Sequence, residues 1–517
     1  MRQGAVAAGH PKTAEAARMV LDDGGNAFDA AMAAMAAACV AEPVLCSLGG
    51  GGFLLARPEG YDPLLYDFFV QTPKRPIDPA TADFYPVLCD FGAAQQEFHV
   101  GLGAAATPGC VKGLFQVVEE LGTMPIRTVV EPAMELARQG VELNRLQAYI
   151  FDVVRPIYMI TEASRAILEK PDKPGTLVGE GDVVANRQFA DFLDVLAIEG
   201  ERLFYEGEVS AAIAAACRGG GALGRGDLEG YELIRRRPLA FAFGGAELHT
   251  NPPPSTGGIL IAFAMQLLEH AFSRDWRFGD ADHLATMIRA MALTNEARVE
   301  SGLNEQAGED AAERLLDPEL LARYRGEIMG RPRARRGTTH ISVIDRDGNA
   351  AAVTLSNGEG CGHLVPGTGV MLNNMLGEED LNPAGFRAWP TDTRMVSMMA
   401  PTLISEPGGR LTALGSGGSN RIRTAIMQAL VNLLGFGMHL PDAVEAPRCH
   451  FENGRLDIEP PLAEATEEAL RAIWPELTVW ESLNLFFGGV HAVRADFGSG
   501  DVTGAGDPRR GGVALSC

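Results

Sequence analysis

The 517-residue chain carries 44 basic against 67 acidic residues, a formal net charge of −23, with 46% hydrophobic and 21% charged residues. That balance belongs to a globular protein with ample apolar material for a large core. It excludes a nucleic-acid surface or an anionic membrane as the main partner and points to a small molecule. Length alone suggests about two to four domains. The eight cysteines (39, 46, 89, 110, 217, 361, 449 and 517) show no C-x-x-C spacing. They read as small buried hydrophobes in a reducing compartment. No apolar segment of signal length follows Met1, so with Met1 as the natural start the expected location is the cytoplasm.

In chain order, Thr13 is placed to cap a helix over 14–23, closed by Gly24-Gly25. A second helix is expected at 27–41. The stretch 27–44 is alanine-dominated but holds Asp29 and Glu42, which makes it a buried helix rather than a membrane span. Gly49 to Gly52 form a tight turn into a strand; with no Gly-Lys-Ser/Thr after them they are not a phosphate loop. A strand at 64–70 follows, then helices at 110–121, 126–139 and 186–199. A helix-to-hairpin passage covers 223–231 and 238–250. Asn251-Pro252-Pro253-Pro254-Ser255-Thr256-Gly257-Gly258 is a rigid turn before an apolar helix at 259–272, with alanine-rich helix at 280–300. The basic run 331–336 reads as an exposed linker. Gly337-Thr338 then enters a strand at 339–344, and Asp347-Gly348 turns it back into 350–354 as a hairpin. Further on come a strand at 401–404, a glycine turn at 415–418 opening a helix through 434, and a helix at 462–474. N–H groups bared at such a helix start suit an oxyanion; the plainer alternative is an N-cap at Ser419 or Asn420.

A threonine entered through glycine at the head of a strand has the chemistry for self-cleavage. Its hydroxyl can attack the preceding carbonyl, which glycine leaves open. The α-amine so released has an unperturbed pKa of about 7.7–8.0, so it can act as base to its own hydroxyl without a distant histidine.

Ten segments in this order carry a resemblance. They are GGNAFDAA (24–31), LGGGGFLL (48–55), TPGCVKG (107–113), LGTMP (121–125), NPPPSTGG (251–258), TTHISVIDRDGNA (338–350), LNN (372–374), APT (400–402), GSGGSNRI (415–422) and APR (446–448). Together they resemble the γ-glutamyltransferase (γ-glutamyl transpeptidase) family of N-terminal-nucleophile hydrolases, nearly end to end. The resemblance implies an α+β fold, a four-layer αββα sandwich. It implies self-cleavage between Gly337 and Thr338, giving a large chain 1–337 and a small chain 338–517 that share one fold. By similarity Thr338 is the nucleophile, Gly417 and Gly418 supply oxyanion N–H groups, and Ser356 holds Thr338 in place. Asn357, Ser397 and Glu378 are the substrate-contacting candidates. The implied activity is hydrolysis of γ-glutamyl amides such as glutathione, or transfer of the γ-glutamyl group to an amine. The resemblance calls for no metal or organic cofactor and is compatible with a homodimer of processed units.

Two departures bear on specificity. Phe69 stands where the family has a substrate arginine, and a phenyl ring cannot replace a bidentate guanidinium on a carboxylate. Met398 replaces the second serine of a family pair. Arg387 or Arg394, in the shortened loop 381–394, is the candidate to take over the carboxylate. The alternatives are an amidohydrolase for another small acyl amide and an uncleaved, non-catalytic relative.

Overall fold

The strand after Thr338 has no exposed face. Thr339–Asp345 is buried along its whole length, and its side chains alternate between two cores, as a pleated strand requires. Ile341 and Val343 pack among helices on one side, while Ile344 joins the core on the other. On that second side Ser342 Oγ donates to the carbonyl of His491 at 3.2 Å. The strand is therefore an inner layer, covered on both faces. The computed structural model describes residues 4–90, 95–170, 173–273, 275–303, 308, 310–327, 338–382, 385–452 and 454–517. Gly337 and the basic run 331–336 lie outside the described residues.

Thr339–Asp345 sits within a seven-stranded antiparallel sheet ordered Val513–Ser516, Gly4–Ala8, Thr339–Asp345, Ala350–Ser356, Gly51–Arg57, Leu64–Phe68, Ile234–Arg236. Facing it is a six-stranded sheet ordered Asp501–Ala505, Gly489–Asp496, Arg410–Gly417, Thr402–Glu406, Ala246–Thr250, Leu239–Phe243. Helices Pro11–Asp22, Ala27–Ala41, Cys110–Leu121 and Ile126–Gln139 cover the first sheet. Helices Gly257–Ala271, Ala281–Glu300 and Arg421–Leu430 cover the second. The result is a four-layer αββα sandwich. Both sheets draw strands from before and after Thr338, so the several domains expected from length resolve into one fold.

Local chemistry explains the joints. Asp345 closes the hairpin by accepting the N–H groups of Asp347, Gly348 and Asn349, each at 3.0 Å. Its other oxygen accepts the Ala27 N–H at 2.9 Å, tying the turn to the start of the helix Ala27–Ala41. That helix has the expected bounds, with a capping box between Asn26 and Asp29. The first helix differs from expectation. It begins at Pro11 and is capped by His10, whose Nδ1 accepts from the Lys12 N–H at 3.1 Å. Thr13 is not the cap, because its hydroxyl is drawn inward to Glu42 at 2.8 Å. The strand expected at 64–70 stops at Phe68, where Asp67 Oδ1 takes the Phe69 N–H at 3.0 Å and turns the chain. Helix Arg421–Leu430 continues to Gly435 as a π-helical turn. Among the described residues no helix is long and apolar enough to cross a membrane.

Candidate active site

Thr338 lies at the head of the inner strand, buried to 4% exposure, at the wall of a cavity of about 320 Å³. The cavity is formed by chain ends that the two sheets bring together. Phe69 follows the strand Leu64–Phe68, Ser356 ends its strand, and Ser419 and Ile422 come from the turn after Arg410–Gly417. Met375, Glu378 and Leu381 come from the loop after Asn373-Asn374, and Ser397 to Met399 complete the wall. The last segment is clamped by the proline-rich turn: Asn251 Nδ2 donates to the Met399 carbonyl at 2.9 Å, and Ser255 Oγ to the Ser397 carbonyl at 2.8 Å. Asn373 holds the loop start by bonding the carbonyls of Gly49 and Ala106 at 2.8 and 2.9 Å.

Thr338 has φ 141°, a region that a β-branched residue avoids. The α-carbon of Gly417 packs directly on its carbonyl, leaving no room for a side chain there. Gly418, at φ 122°, follows, and its N–H has no acceptor among the described residues. Arg510 Nη1 donates to the Thr338 carbonyl at 3.2 Å. The second threonine of the motif is structural: Thr339 Oγ1 donates to Glu42 at 2.9 Å, and burial pushes the Glu42 carboxyl above its usual range. His340 is structural as well. Its ring lies between Thr354 Oγ1 (2.8 Å) and Ser342 Oγ (2.9 Å), and burial pushes its pKa down, so it stays neutral.

The sequence candidates divide. Thr338, Ser356, Ser397 and Glu378 all line the cavity, with Gly417 and Gly418 beside Thr338. Ser356 Oγ accepts from the Gly358 N–H and Ser397 Oγ from the Met399 N–H, each at 3.0 Å. Each hydroxyl thereby keeps its proton to donate. Asn357 does not reach the cavity; it is fully buried behind Ser356, because side chains alternate along a strand and its successor position.

Arg394 does not reach it either. Its guanidinium bonds the Phe69 carbonyl, Tyr231 Oη and the Glu232 carbonyl, lies 4.7 Å from the centre of the Tyr231 ring, and faces Asp67 at 3.5 Å. A buried carboxylate and three oxygens outcompete an open pocket for that cation. Arg387 is exposed and stacks on Phe84 at 4.9 Å. No lysine, arginine or histidine lines the cavity among the described residues. The sequence reading missed Ser419, which lines the cavity with φ 49° instead of capping the helix. It also missed Arg510, for which no spacing signal exists. The helix cap is Asn420, without a side-chain bond.

A buried threonine heading an inner strand of a four-layer αββα sandwich, against a glycine turn, defines an enzyme of the N-terminal-nucleophile hydrolase class. The family model described as gamma-glutamyltranspeptidase matches residues 13–517. The glutathione hydrolase proenzyme of Escherichia coli (strain K12) is 30% identical, over 98% of this chain and 90% of its own. The acylase ACY 1 proenzyme of Pseudomonas sp. (strain SE83) is 31% identical, over 91% and 86%. In the crystal structure of cephalosporin acylase from Bacillus halodurans the same fold recurs with a TM-score of 0.84, at 23% identity and over 99% and 96% of the two chains. The chain belongs to the gamma-glutamyltranspeptidase family.

Proposed function

We propose that this protein is a self-processing threonine amidohydrolase and acyltransferase that cuts itself between Gly337 and Thr338. Thr338 Oγ attacks the Gly337 carbonyl, the peptide nitrogen leaves as the α-amine, and water opens the resulting ester. The mature enzyme is then a large chain 1–337 and a small chain 338–517 interleaved in both sheets. What carries the reading is the position of Thr338, which heads an inner strand, lines the cavity and has its carbonyl against Gly417. The φ of 141° supports self-cleavage, since such outliers store of order 1–3 kcal/mol and cutting the bond releases the constraint.

In turnover the α-amine takes the hydroxyl proton as Thr338 Oγ attacks the substrate amide carbonyl. The oxyanion meets the Gly418 N–H, the proton passes to the leaving amine, and an acyl-enzyme remains for water or an amine acceptor. Gamma-glutamyl amides such as glutathione are the proposed donors, in line with the relatives named glutathione hydrolase; Glu378 would grip the donor's α-amine. A second reading, an acylase for another small acyl amide, is favoured by one observation. Phe69, Met375, Leu381, Met398, Met399 and Ile422 make most of the lining, with no cation to take a carboxylate. A reducing compartment such as the cytoplasm suits eight cysteines, all of them free.

Intact mass with N-terminal sequencing tests processing, and a panel of γ-glutamyl, glutaryl and neutral acyl anilides tests the donor. Two chains, the smaller starting Thr-Thr-His, with γ-glutamyl turnover are expected. A stable single chain overturns the mechanism; processed protein turning over only the neutral acyl anilides leaves the second reading.

A further inference from the structure

The turn Pro508–Arg510 is capped by Asp507 and released by Gly511 at φ 65°. It sends its two arginines into different surroundings. Arg509 is held by Glu459, at 2.8 Å from Nε, and by Asp507 at 3.2 Å. Neighbouring Arg448 pairs with Asp507 at 2.7 Å. Arg510 has no carboxylate within 4.0 Å among the described residues. It is 8% exposed, its Nε is buried without a hydrogen-bond partner, and among the described residues its one side-chain bond goes to the Thr338 carbonyl. The same guanidinium backs the glycine turn: β-carbons at Gly417 and Gly418 would lie 3.3 and 3.1 Å from its Nη atoms. Burial pushes its pKa down to about 10, which leaves it charged at neutral pH.

We propose that Arg510 is a positioning residue for Thr338, whose buried charge keeps the freed α-amine in its neutral, proton-accepting form. This rests on cleavage at Thr338. Nitrogen and oxygen of one residue are at most about 3.6 Å apart, so the α-nitrogen lies within about 7 Å of Nη1. At an effective dielectric near 20, a like charge at that distance lowers an amine by about one to two pK units. Four carboxyl groups bear on this charge. Glu42 accepts two threonine hydroxyls, and burial pushes its carboxyl above the usual range, which weakens its opposing charge. Asp507 is shared by Arg448 and Arg509. Glu359 acts on Arg510 through space, and Glu378 lines the same cavity as Thr338. The hydroxyl proton then moves to a ready base, and no further acid or base is required.

The test is the pH dependence of kcat/KM for processed wild type, Arg510→Lys and Arg510→Met on any anilide that wild type hydrolyses. Expected is an acid limb below pH 7 for wild type and the lysine variant. For the methionine variant the limb rises by about one to two units, with a tenfold or greater loss at pH 6.5 that is recovered at pH 9. A loss of equal size at every pH, with the limb unmoved, overturns the proposal. If Arg510→Met remains uncut, nitrogen-15 NMR of threonine-labelled wild type reads the α-amine directly, and a pKa at or above about 7.7–8.0 overturns it. A wild-type chain that never cuts overturns the cleavage reading as well, whereas two chains with an ordinary amine overturn this inference alone.

Discussion

Gly417→Ala isolates the contact on which the candidate site depends. A β-carbon there would stand 2.8 Å from the Thr338 carbonyl carbon and nearer still to its oxygen, where ordinary contact begins at 3.4 Å. Both obstructing atoms are backbone, so no rotamer change relieves the clash, and either Thr338 or the glycine turn must move by about an ångström. A misplacement of that size costs about 10²-fold in rate, or about 2.7 kcal/mol of barrier. Self-cleavage uses the same alignment and slows with it. Intact mass over time gives the fraction cut, and donor hydrolysis per cut molecule gives the rate. Gly226→Ala is the control, since a β-carbon there meets nothing within 4 Å and the residue is helical; it leaves both readouts at wild-type values. A Gly417→Ala enzyme that processes fully and hydrolyses within about threefold of wild type would refute the placement of Thr338 against this turn.

Thr338→Ala is expected to stay a single chain and to hydrolyse no donor; fragments beginning at residue 338 would remove Thr338 from the processing step. Arg394→Met is expected to cost about 3 kcal/mol of stability by leaving buried Asp67 with Arg236 as its one ion-pair partner among the described residues. It should leave donor KM within about twofold, so a large rise in KM with an unchanged melting temperature would return Arg394 to the substrate. Acid should weaken the fold. Burial pushes His10, His283 and His491 down to about 4, while the unfolded chain takes up those protons near 6.5. Their contribution is complete above pH 6.5 and is lost as pH falls toward 4, up to about 3 kcal/mol per group. Glu42 and Glu452, pushed up by burial, act in the opposite sense. Thermal melts from pH 8 to 4.5 should show a falling midpoint below 6.5, and a flat profile would contradict the neutral-histidine core.

Local signals were readable where one short stretch determines the outcome. The helices Ala27–Ala41, Cys110–Leu121 and Ile126–Gln139 and the hairpin around Gly348 have the bounds that their caps, glycines and periodicity announce. The αββα layering and the lining residues 69, 338, 356, 378, 397 and 398 came instead from the resemblance, because no local pattern tells that they converge. Competition between partners set the misses. Thr13 had the composition of a cap and was taken by Glu42, a partner 29 positions away. Arg394 had the charge for a carboxylate and was taken by Asp67 and two backbone carbonyls. Arg510 sits in a turn whose sequence says only that it is tight, and its importance comes from what lies 172 positions earlier.

Those long-range choices also decide what the cavity can recognise. Phe69 is fully buried and stacks on Phe53 with ring centres 5.3 Å apart, so its side chain belongs to the inter-sheet core as well as to the cavity wall. Arg394 sits behind the same backbone, bonded to the carbonyl of Phe69 itself, with Asp67 and Tyr231 holding it there. Its charge thus lies in the support of the cavity and not at its face, where it stiffens the wall and is closed to ligand. An acyl group entering beside Thr338 meets thioether, phenyl and aliphatic surface with three serine hydroxyls and one carboxylate. Such a lining rewards apolar area in the acyl chain and offers a donor carboxylate only serine hydroxyls in place of a bidentate cation. The proposed nucleophile and its turn, Thr338, Gly417 and Gly418, are thus structurally separate from the guanidinium behind Phe69, on which the proposed specificity turns.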